Sequence, residues 1–373
     1  MRVLMTGGGT AGHINPALTI ADAIRREYPQ AEILFVGAEG RMETTLVPAA
    51  GYPIKAMKVS GFQRKLTPKA LLDNAQAAFR VLTASQAAGK ILKEFRPNIA
   101  IGTGGYVCGP ILRRAAKEGI PVVLHESNAL PGVTVRMLAP YATVCLPEES
   151  ARRYLPADAD VVVTGNPLPP TFSQRDKREA RQRLGLDARP VVLSFGGSLG
   201  AATLNCAMFG VLEKARQDGA IQFIHGAGKN GYPAMAAALK DAGIPFKADG
   251  IWVREYIDDM PDCMAAADLV VCRCGAMTLT ELQACGKAAI LIPSPYVAEN
   301  HQFHNAQALV KRGAAVCIEE KDLTAASLWE AIRSITEDPV RLVTMGDNAR
   351  KGATPDAMDR ILEVIAGKLK PDA

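Results

Sequence analysis

In this 373-residue chain the residues best suited to chemistry gather at glycine-rich turns. Gly7, Gly9 and Gly12 form a GxGxxG pattern, which lets backbone N–H groups and a helix N-terminus approach a diphosphate closely. His13 follows at once. At a helix start the dipole disfavours an imidazolium, so the ring stays neutral and able to accept a proton. Two other readings remain open: a dinucleotide loop with Glu39 as its ribose acid, and His13 as an N-cap without chemical duty. A second turn, Gly102-Thr103-Gly104-Gly105-Tyr106-Val107-Cys108-Gly109-Pro110, also opens a helix. It reads as another anion site, although a tight turn with positive φ accounts for one or two of its glycines. A third, Gly196 to Ala201, carries Ser198, whose hydroxyl suits a phosphate or an N-cap. In a fourth segment, Cys272 to Glu281, the N–H groups of residues 275–278, just after Arg273, open a helix toward the cleft. Glu281, one turn in, suits a pair of vicinal hydroxyls or an ordinary salt bridge.

Each turn needs a strand before it and a helix after it. Short apolar runs at 3–5, 33–36, 99–101, 122–124, 161–163, 191–195, 221–224, 269–272, 289–292 and 315–318 alternate with amphipathic stretches, the pattern of parallel sheets covered by helices. Val3–Met5 leads through glycines to a helix expected over about Asn15–Glu27, and Val191–Phe195 leads through Gly196–Ala201 to a helix ending near Arg216. This echo predicts an α/β chain of two tandem Rossmann-like domains with a cleft at the carboxyl ends of their strands. Three prolines in Asn166–Thr171 mark the linker. The expected parts are 1–164, 165–352 and a C-terminal segment 353–373 whose helix returns to the first domain.

An apolar share of 48% and a charged share of 22% exclude a disordered or collagen-like chain. No run reaches the roughly 18 apolar residues of a spanning helix, and no secretory core precedes the first glycine loop, which predicts a cytoplasmic protein. The eight cysteines form no CxxC pair and are expected as free, buried thiols, with no metal and no cofactor. The acidic pairs Asp158/Asp160 and Asp258/Asp259 are not read as metal ligands. Residues 55–117 hold 12 Lys/Arg against Asp73 and Glu94, so an anionic partner is expected there. Lys65, Lys69, Arg80, Lys90, Lys93 and Arg96 lie among Phe62, Leu66, Leu71, Leu72, Phe79, Leu82, Ile91, Leu92 and Phe95. That mixture favours an anionic membrane surface, and no nucleic-acid-binding motif accompanies it.

GGTAGH at 8–13, TGGYVCGP at 103–110, HESN at 125–128, TGNP at 164–167, GGSLGA at 196–201, IDDM at 257–260 and the Glu299–Ala306 segment together resemble the MurG family. These are bacterial transferases of glycosyltransferase family 28 that make lipid II from lipid I on a GT-B fold. The resemblance implies UDP-N-acetylglucosamine on the C-terminal domain, with uracil at Ile257, ribose on Glu281, diphosphate at Ser198 and the helix start Ala276, Met277, Thr278, Leu279, Thr280, and sugar hydroxyls near Gln302. Thr10, Ala11, Gly12 and Asn128 would complete the donor site. Lipid I would bind the N-terminal domain with its diphosphate near Gly8, Gly9, Gly104, Gly105 and Tyr106, and His13 would be the base. A peripheral enzyme on the cytoplasmic face of the plasma membrane is the implied location. Pro169, Leu199 and Ala202 stand where members often carry arginine, glutamine and arginine; Arg175 is the nearest substitute for the first. A UDP-sugar 2-epimerase, or another UDP-sugar-binding GT-B protein, remains the alternative.

Overall fold

The computed structural model describes residues 1–59, 84–172, 174–248 and 250–369. The chain divides into two compact units, Met1–Leu168 with Thr354–Ala373, and Pro169–Ala353.

Unit 1 is built on a parallel sheet of β1 (Arg2–Thr6), β2 (Glu32–Ala38), β3 (Ile54–Met57), β4 (Ile99–Gly102), β5 (Val122–His125), β6 (Thr143–Leu146) and β7 (Val161–Val163), in the order β3-β2-β1-β4-β5-β6-β7. β4, β5 and β6 are buried along their whole length, and β1 and β2 at every residue but the first. They read as continuous apolar runs because helices cover both faces of the sheet. The strand order reverses direction between β1 and β4, so the turns leaving those two strands, at Gly7 and at Thr103, become neighbours at the carboxyl edge of the sheet.

The first helix, α1 (Ala11–Glu27), starts four residues earlier than expected, with Thr10 as its N-cap and Pro16 inside it. Ile14, Ala17, Ile20, Ala21 and Ile24 repeat at helical spacing and are buried, which docks this face on the sheet. Then come α2 (Glu43–Ala49), helical backbone α3 over 84–95, α4 (Cys108–Lys117) and α5 (Val133–Leu138).

Unit 2 repeats the plan with β8 (Val191–Phe195), β9 (Gln222–Gly226), β10 (Lys247–Ala248), β11 (Ile251–Arg254), β12 (Leu269–Cys272), β13 (Ala288–Leu291) and β14 (Ala315–Cys317). The order is β10-β11-β9-β8-β12-β13-β14. Its switch point lies between β8 and β12, which again pairs a glycine turn with a second strand end. One detail departs from an all-parallel sheet: the edge strand β10 runs antiparallel to β11. The helices are α6 (Lys177–Leu184), α7 (Ala202–Asp218), α8 (Tyr232–Asp241), α9 (Met260–Ala266), α10 (Ala276–Cys285), α11 (His301–Lys311), α12 (Ala325–Thr336) and α13 (Pro339–Arg350).

The last helix, α14 (Ala357–Lys368), belongs to unit 1. Its Ile361 and Ile365 are fully buried in the cluster that holds Val3, Ile20 and Ile24. Lys368 pairs with Asp160 at 2.8 Å, and that bond, with the Thr143 hydroxyl, holds the Asp160 carboxyl below the usual range. All eight cysteines are free, but Cys206 on α7 is exposed, against the expectation that the thiols are buried.

Deleting the Ile361 side chain removes buried methyls and leaves a cavity, so Ile361→Ala should cost about 2–5 kcal/mol. Arg360→Ala removes an exposed pair with Asp356 and a long, exposed hydrogen bond to Val163 O at 3.5 Å and should cost under about 1 kcal/mol. Urea titration of both variants checks this; equal midpoints would mean that α14 contributes little to the unit 1 core.

Candidate active site

In unit 1 the two neighbouring turns meet without room for side chains. A Cβ on Gly105 would lie 2.3 Å from the Gly8 carbonyl oxygen, and one on Gly104 would lie 2.6 Å from His13 Nδ1. Both glycines have positive φ, 107° and 89°, so the tight-turn requirement accounts for them. Packed this closely, the turns trade hydrogen bonds. Gly8 N–H donates to Gly104 O at 3.3 Å, and the Thr103 hydroxyl donates to His13 O at 2.6 Å.

His13 is the third residue of α1, not its N-cap. Its Nδ1 lies 3.1 Å from Thr103 O. A carbonyl can only accept, so Nδ1 carries a hydrogen, and whenever the ring is neutral its lone pair lies on Nε2. The sequence assigned a base; the fold adds its tautomer.

The same geometry corrects part of the expected phosphate site. Gly8 N–H is spent on Gly104, and Gly9 N–H donates to the carboxylate of Glu43 at 3.0 Å. Neither is available to a substrate oxyanion. At the start of α1 the N–H groups of Ala11 and Gly12 lack an intrahelical acceptor, as at any helix N-terminus, and suit one better. Glu39 is exposed, and the N–H a dinucleotide's pyrophosphate would need is taken by Glu43, so the dinucleotide reading loses its site. Tyr106 packs its ring over Gly9, about where a Cβ would stand 3.5 Å from Cε1.

HESN caps β5. Burial pushes the His125 imidazole down to about 4, and its Nε2 lies 3.3 Å from Gly165 O. Glu126 folds the following loop around its carboxylate, accepting from Asn128 N–H at 2.8 Å, Asn128 Nδ2 at 2.9 Å and Gly132 N–H at 2.8 Å. Asn128 is therefore oriented by its own neighbour. Glu43 was not singled out from the sequence, and Glu126 entered there only as part of HESN, with no role of its own.

In unit 2 the Arg273–Gly275 turn is clamped by α11. Gln302 Oε1 accepts from Ser294 N–H at 2.9 Å and Cys274 N–H at 3.3 Å, while Asn305 Nδ2 donates to Cys274 O at 3.2 Å. With its oxygen occupied, Gln302 can address a sugar hydroxyl only through its amide hydrogens. Glu299 and Asn300, just before α11, both sit at positive φ, 54° and 51°, strain that is typical of a functional loop.

Arg273 is already engaged within its own unit: it is ion-paired with partly buried Glu320 and also donates to Ile292 O and Pro293 O, each at 3.3 Å. Glu320 in turn accepts from the Thr203 hydroxyl at 2.9 Å. Arg273 thus ties together strand end, loop and α7. Arg175 pairs with Asp262 at 3.3 Å and Asp259 with Arg254 at 2.6 Å.

The helix start keeps its chemistry. α10 opens at Ala276 with no side chain capping it, so the first N–H groups, through Thr278, suit a diphosphate. Two residues of the expected set are otherwise engaged: Leu279 is buried in the core with its N–H on Gly275 O at 3.0 Å, and the Thr280 hydroxyl donates to Ala276 O at 3.0 Å. Ser198 is exposed and lies before the helix, since the N-cap of α7 is Ala201. Ile257 is buried beside β9, within the core.

Glu281 keeps part of its surface accessible, yet the protein packed around its carboxyl strips away water and pushes its pKa up to about 8. No salt bridge to it forms among the described residues. Among those residues, too, no three His, Cys, Asp or Glu side chains gather to hold a metal ion.

These paired turns, on two Rossmann-like units, carry the features of a nucleotide-sugar transferase. The glycosyltransferase family 28 N-terminal domain matches residues 3–147 and the family's C-terminal domain residues 191–361; the chain belongs to this family. It is 42% identical over 374 residues to the UDP-N-acetylglucosamine–N-acetylmuramyl-(pentapeptide) pyrophosphoryl-undecaprenol N-acetylglucosamine transferase of Desulforudis audaxviator, covering 99% of each chain. It is 40% identical to transferase 1 of that name from Bacillus cereus, covering 98% of each. The crystal structure of Acinetobacter baumannii MurG superposes with a TM-score of 0.77 at 30% identity, covering 98% of this chain and 99% of that one. A UDP-GlcNAc 2-epimerase from Neisseria meningitidis, covered over 98% and 100%, shares the fold with a TM-score of 0.66 at 15% identity.

The raised Glu281 pKa has a stability consequence. Between the ordinary value of 4.5 and about 8, the folded state holds a proton that the unfolded state has released. The stabilisation is therefore full below about pH 4.5 and is lost as pH rises through 8. Glu281→Gln cannot titrate, so its melting temperature should gain on the wild type between pH 5 and pH 8.5; a constant difference would mean that the carboxyl is not desolvated.

Proposed function

We propose that this protein moves N-acetylglucosamine from UDP-N-acetylglucosamine to the C4 hydroxyl of the N-acetylmuramyl unit of lipid I, giving lipid II. The observation that carries the reading is end-to-end likeness, at 40–42% identity, to enzymes bearing that activity in their names. The site chemistry agrees with it. Displacement of UDP passes through an oxocarbenium-like state that needs a base on the acceptor hydroxyl and a positive field at the departing diphosphate. His13 Nε2 supplies the first. The N-termini of α7 and α10, with the Ser198 hydroxyl, supply the second, and Arg273 is left to its structural bond. Glu281 accepts from the ribose hydroxyls, the backbone at Ile257 reads uracil, and the Gln302 amide donates to the sugar. Thr10, Ala11, Gly12 and Asn128 add donor contacts, while Gly104, Gly105 and Tyr106 face the acceptor. A single in-line attack inverts the anomeric centre.

The reading includes a peripheral position on the cytoplasmic membrane face. Among the described residues no helix is long and apolar enough to cross a membrane. Residues 60–83, with Lys65, Lys69, Arg80 and most of the expected apolar set, lie outside the described residues. Within α3, Lys90 and Lys93 are exposed while Ile91 and Leu92 are core, so this part offers charge and not insertion.

Incubation with radiolabelled UDP-N-acetylglucosamine and a short-chain lipid I analogue should yield a labelled disaccharide lipid. Conversion of the donor to its 2-epimer without acceptor would replace the proposal with the epimerase reading. His13→Ala should lower kcat by roughly 10²-fold or more; near wild-type turnover would leave the base unassigned. Glu281→Ala should raise the donor KM more than it lowers kcat, because ribose contacts persist from ground to transition state. Sedimentation with liposomes should increase with phosphatidylglycerol content, fall with salt, and weaken when Lys65, Lys69 and Arg80 are changed to Glu. Equal binding to neutral vesicles would remove the electrostatic docking.

A further inference from the structure

Glu43 opens α2 and is fully buried. A buried carboxylate is costly unless its oxygens are hydrogen-bonded, and here they are: Oε2 accepts Gly9 N–H and Oε1 accepts Ala38 N–H, each at 3.0 Å. The surroundings are shaped for it. A Cβ on Gly8 would stand 2.3 Å from Oε1, and one on Gly37 would stand 2.6 Å from Cγ. Two glycines, one in the first loop and one in β2, thus leave space for a single side chain.

We infer that Glu43 is a positioning residue for the transfer reaction: its carboxylate pins the Gly7–Thr10 turn and so fixes where α1 delivers His13. The inference rests on the assignment of His13 as base. The path is short. Gly9 is held from below by Glu43, Gly8 from the side by Gly104, and Thr10 follows as N-cap, its carbonyl accepting His13 N–H at 3.1 Å. Thr103 fixes the imidazole ring itself, whereas Glu43 fixes the backbone that carries it. A carboxylate is required because both groups it meets are donors. An amide of the same shape would set an NH2 against one of those N–H groups, and the turn would have to move. Displacements of the order of 1 Å at a reacting group cost up to about 10²-fold in rate.

Glu43→Gln is the test, because it preserves volume. Its kcat should fall at least 10-fold and by more than UDP affinity measured by calorimetry, since the proposed uracil and ribose contacts lie on unit 2 and only the Thr10–Gly12 contacts would move with the turn. If Glu43 acts through His13, adding Glu43→Gln to His13→Ala should slow the enzyme no further. A kcat within twofold of wild type overturns the inference, and so do losses that multiply in the double variant. Gly8→Ala keeps the carboxylate but pushes against it, so it gives a second reading if Glu43→Gln does not fold: it too must lower kcat by more than UDP affinity, and unchanged kcat there overturns the inference. A wild type that transfers no sugar at all would instead sink the function itself.

Discussion

The close approach of two backbone turns, Gly8 against Gly105, is the constraint on which the unit 1 site depends. No residue with a side chain fits at that contact. Because the turns touch, Thr103 can reach His13 twice, donating to its carbonyl and accepting from its ring. The histidine's tautomer therefore follows from sheet topology: β1 and β4 are adjacent at the switch point, and only adjacent strands bring their exit turns together.

Unit 2 meets the same problem with side chains. The turn leaving β12 is held by Gln302 and Asn305 from α11, and Arg273 and Glu320 form a partly buried ion pair under the loop after β13. Removing one partner leaves the other's charge unpaired and partly desolvated, so each depends on the other. In both units, some groups that resemble ligand contacts in the sequence also hold the frame, and the helices that follow the turns start without a side-chain cap.

Much of the architecture could be read in advance because buried parallel strands are uninterrupted apolar runs, as in Val191–Phe195 or Leu269–Cys272. Four strands escaped notice: Ile54–Met57 is interrupted by Lys55, Thr143–Leu146 is short and follows a proline turn, Lys247–Ala248 has only two residues, and Ile251–Arg254 carries a tryptophan and an arginine. The start of α1 was misplaced because Pro16 looks like a first-turn proline, whereas it sits inside the helix. The glycines, His13 and Glu281 were visible by residue type. What the sequence could not convey was who occupies whom. Glu43 gains its meaning from two donors that are distant from it along the chain or belong to another element, and Arg273 is engaged by a glutamate 47 residues later.

The return of α14 to unit 1 bears on how the chain is made. Unit 2 is continuous in sequence, so all of its strands have been synthesised while the partner of Ile20 and Ile24 is still missing. Unit 1 begins to emerge before unit 2 but lacks Ile361 and Ile365 until unit 2 has been made. The face that α1 covers must wait with the α14 side of its apolar cluster open while the later unit completes its own core. The usual order of domain-wise folding during synthesis, N-terminal first, is reversed at the final step, and the half-finished first unit is the stage at which the nascent chain most needs protection from aggregation.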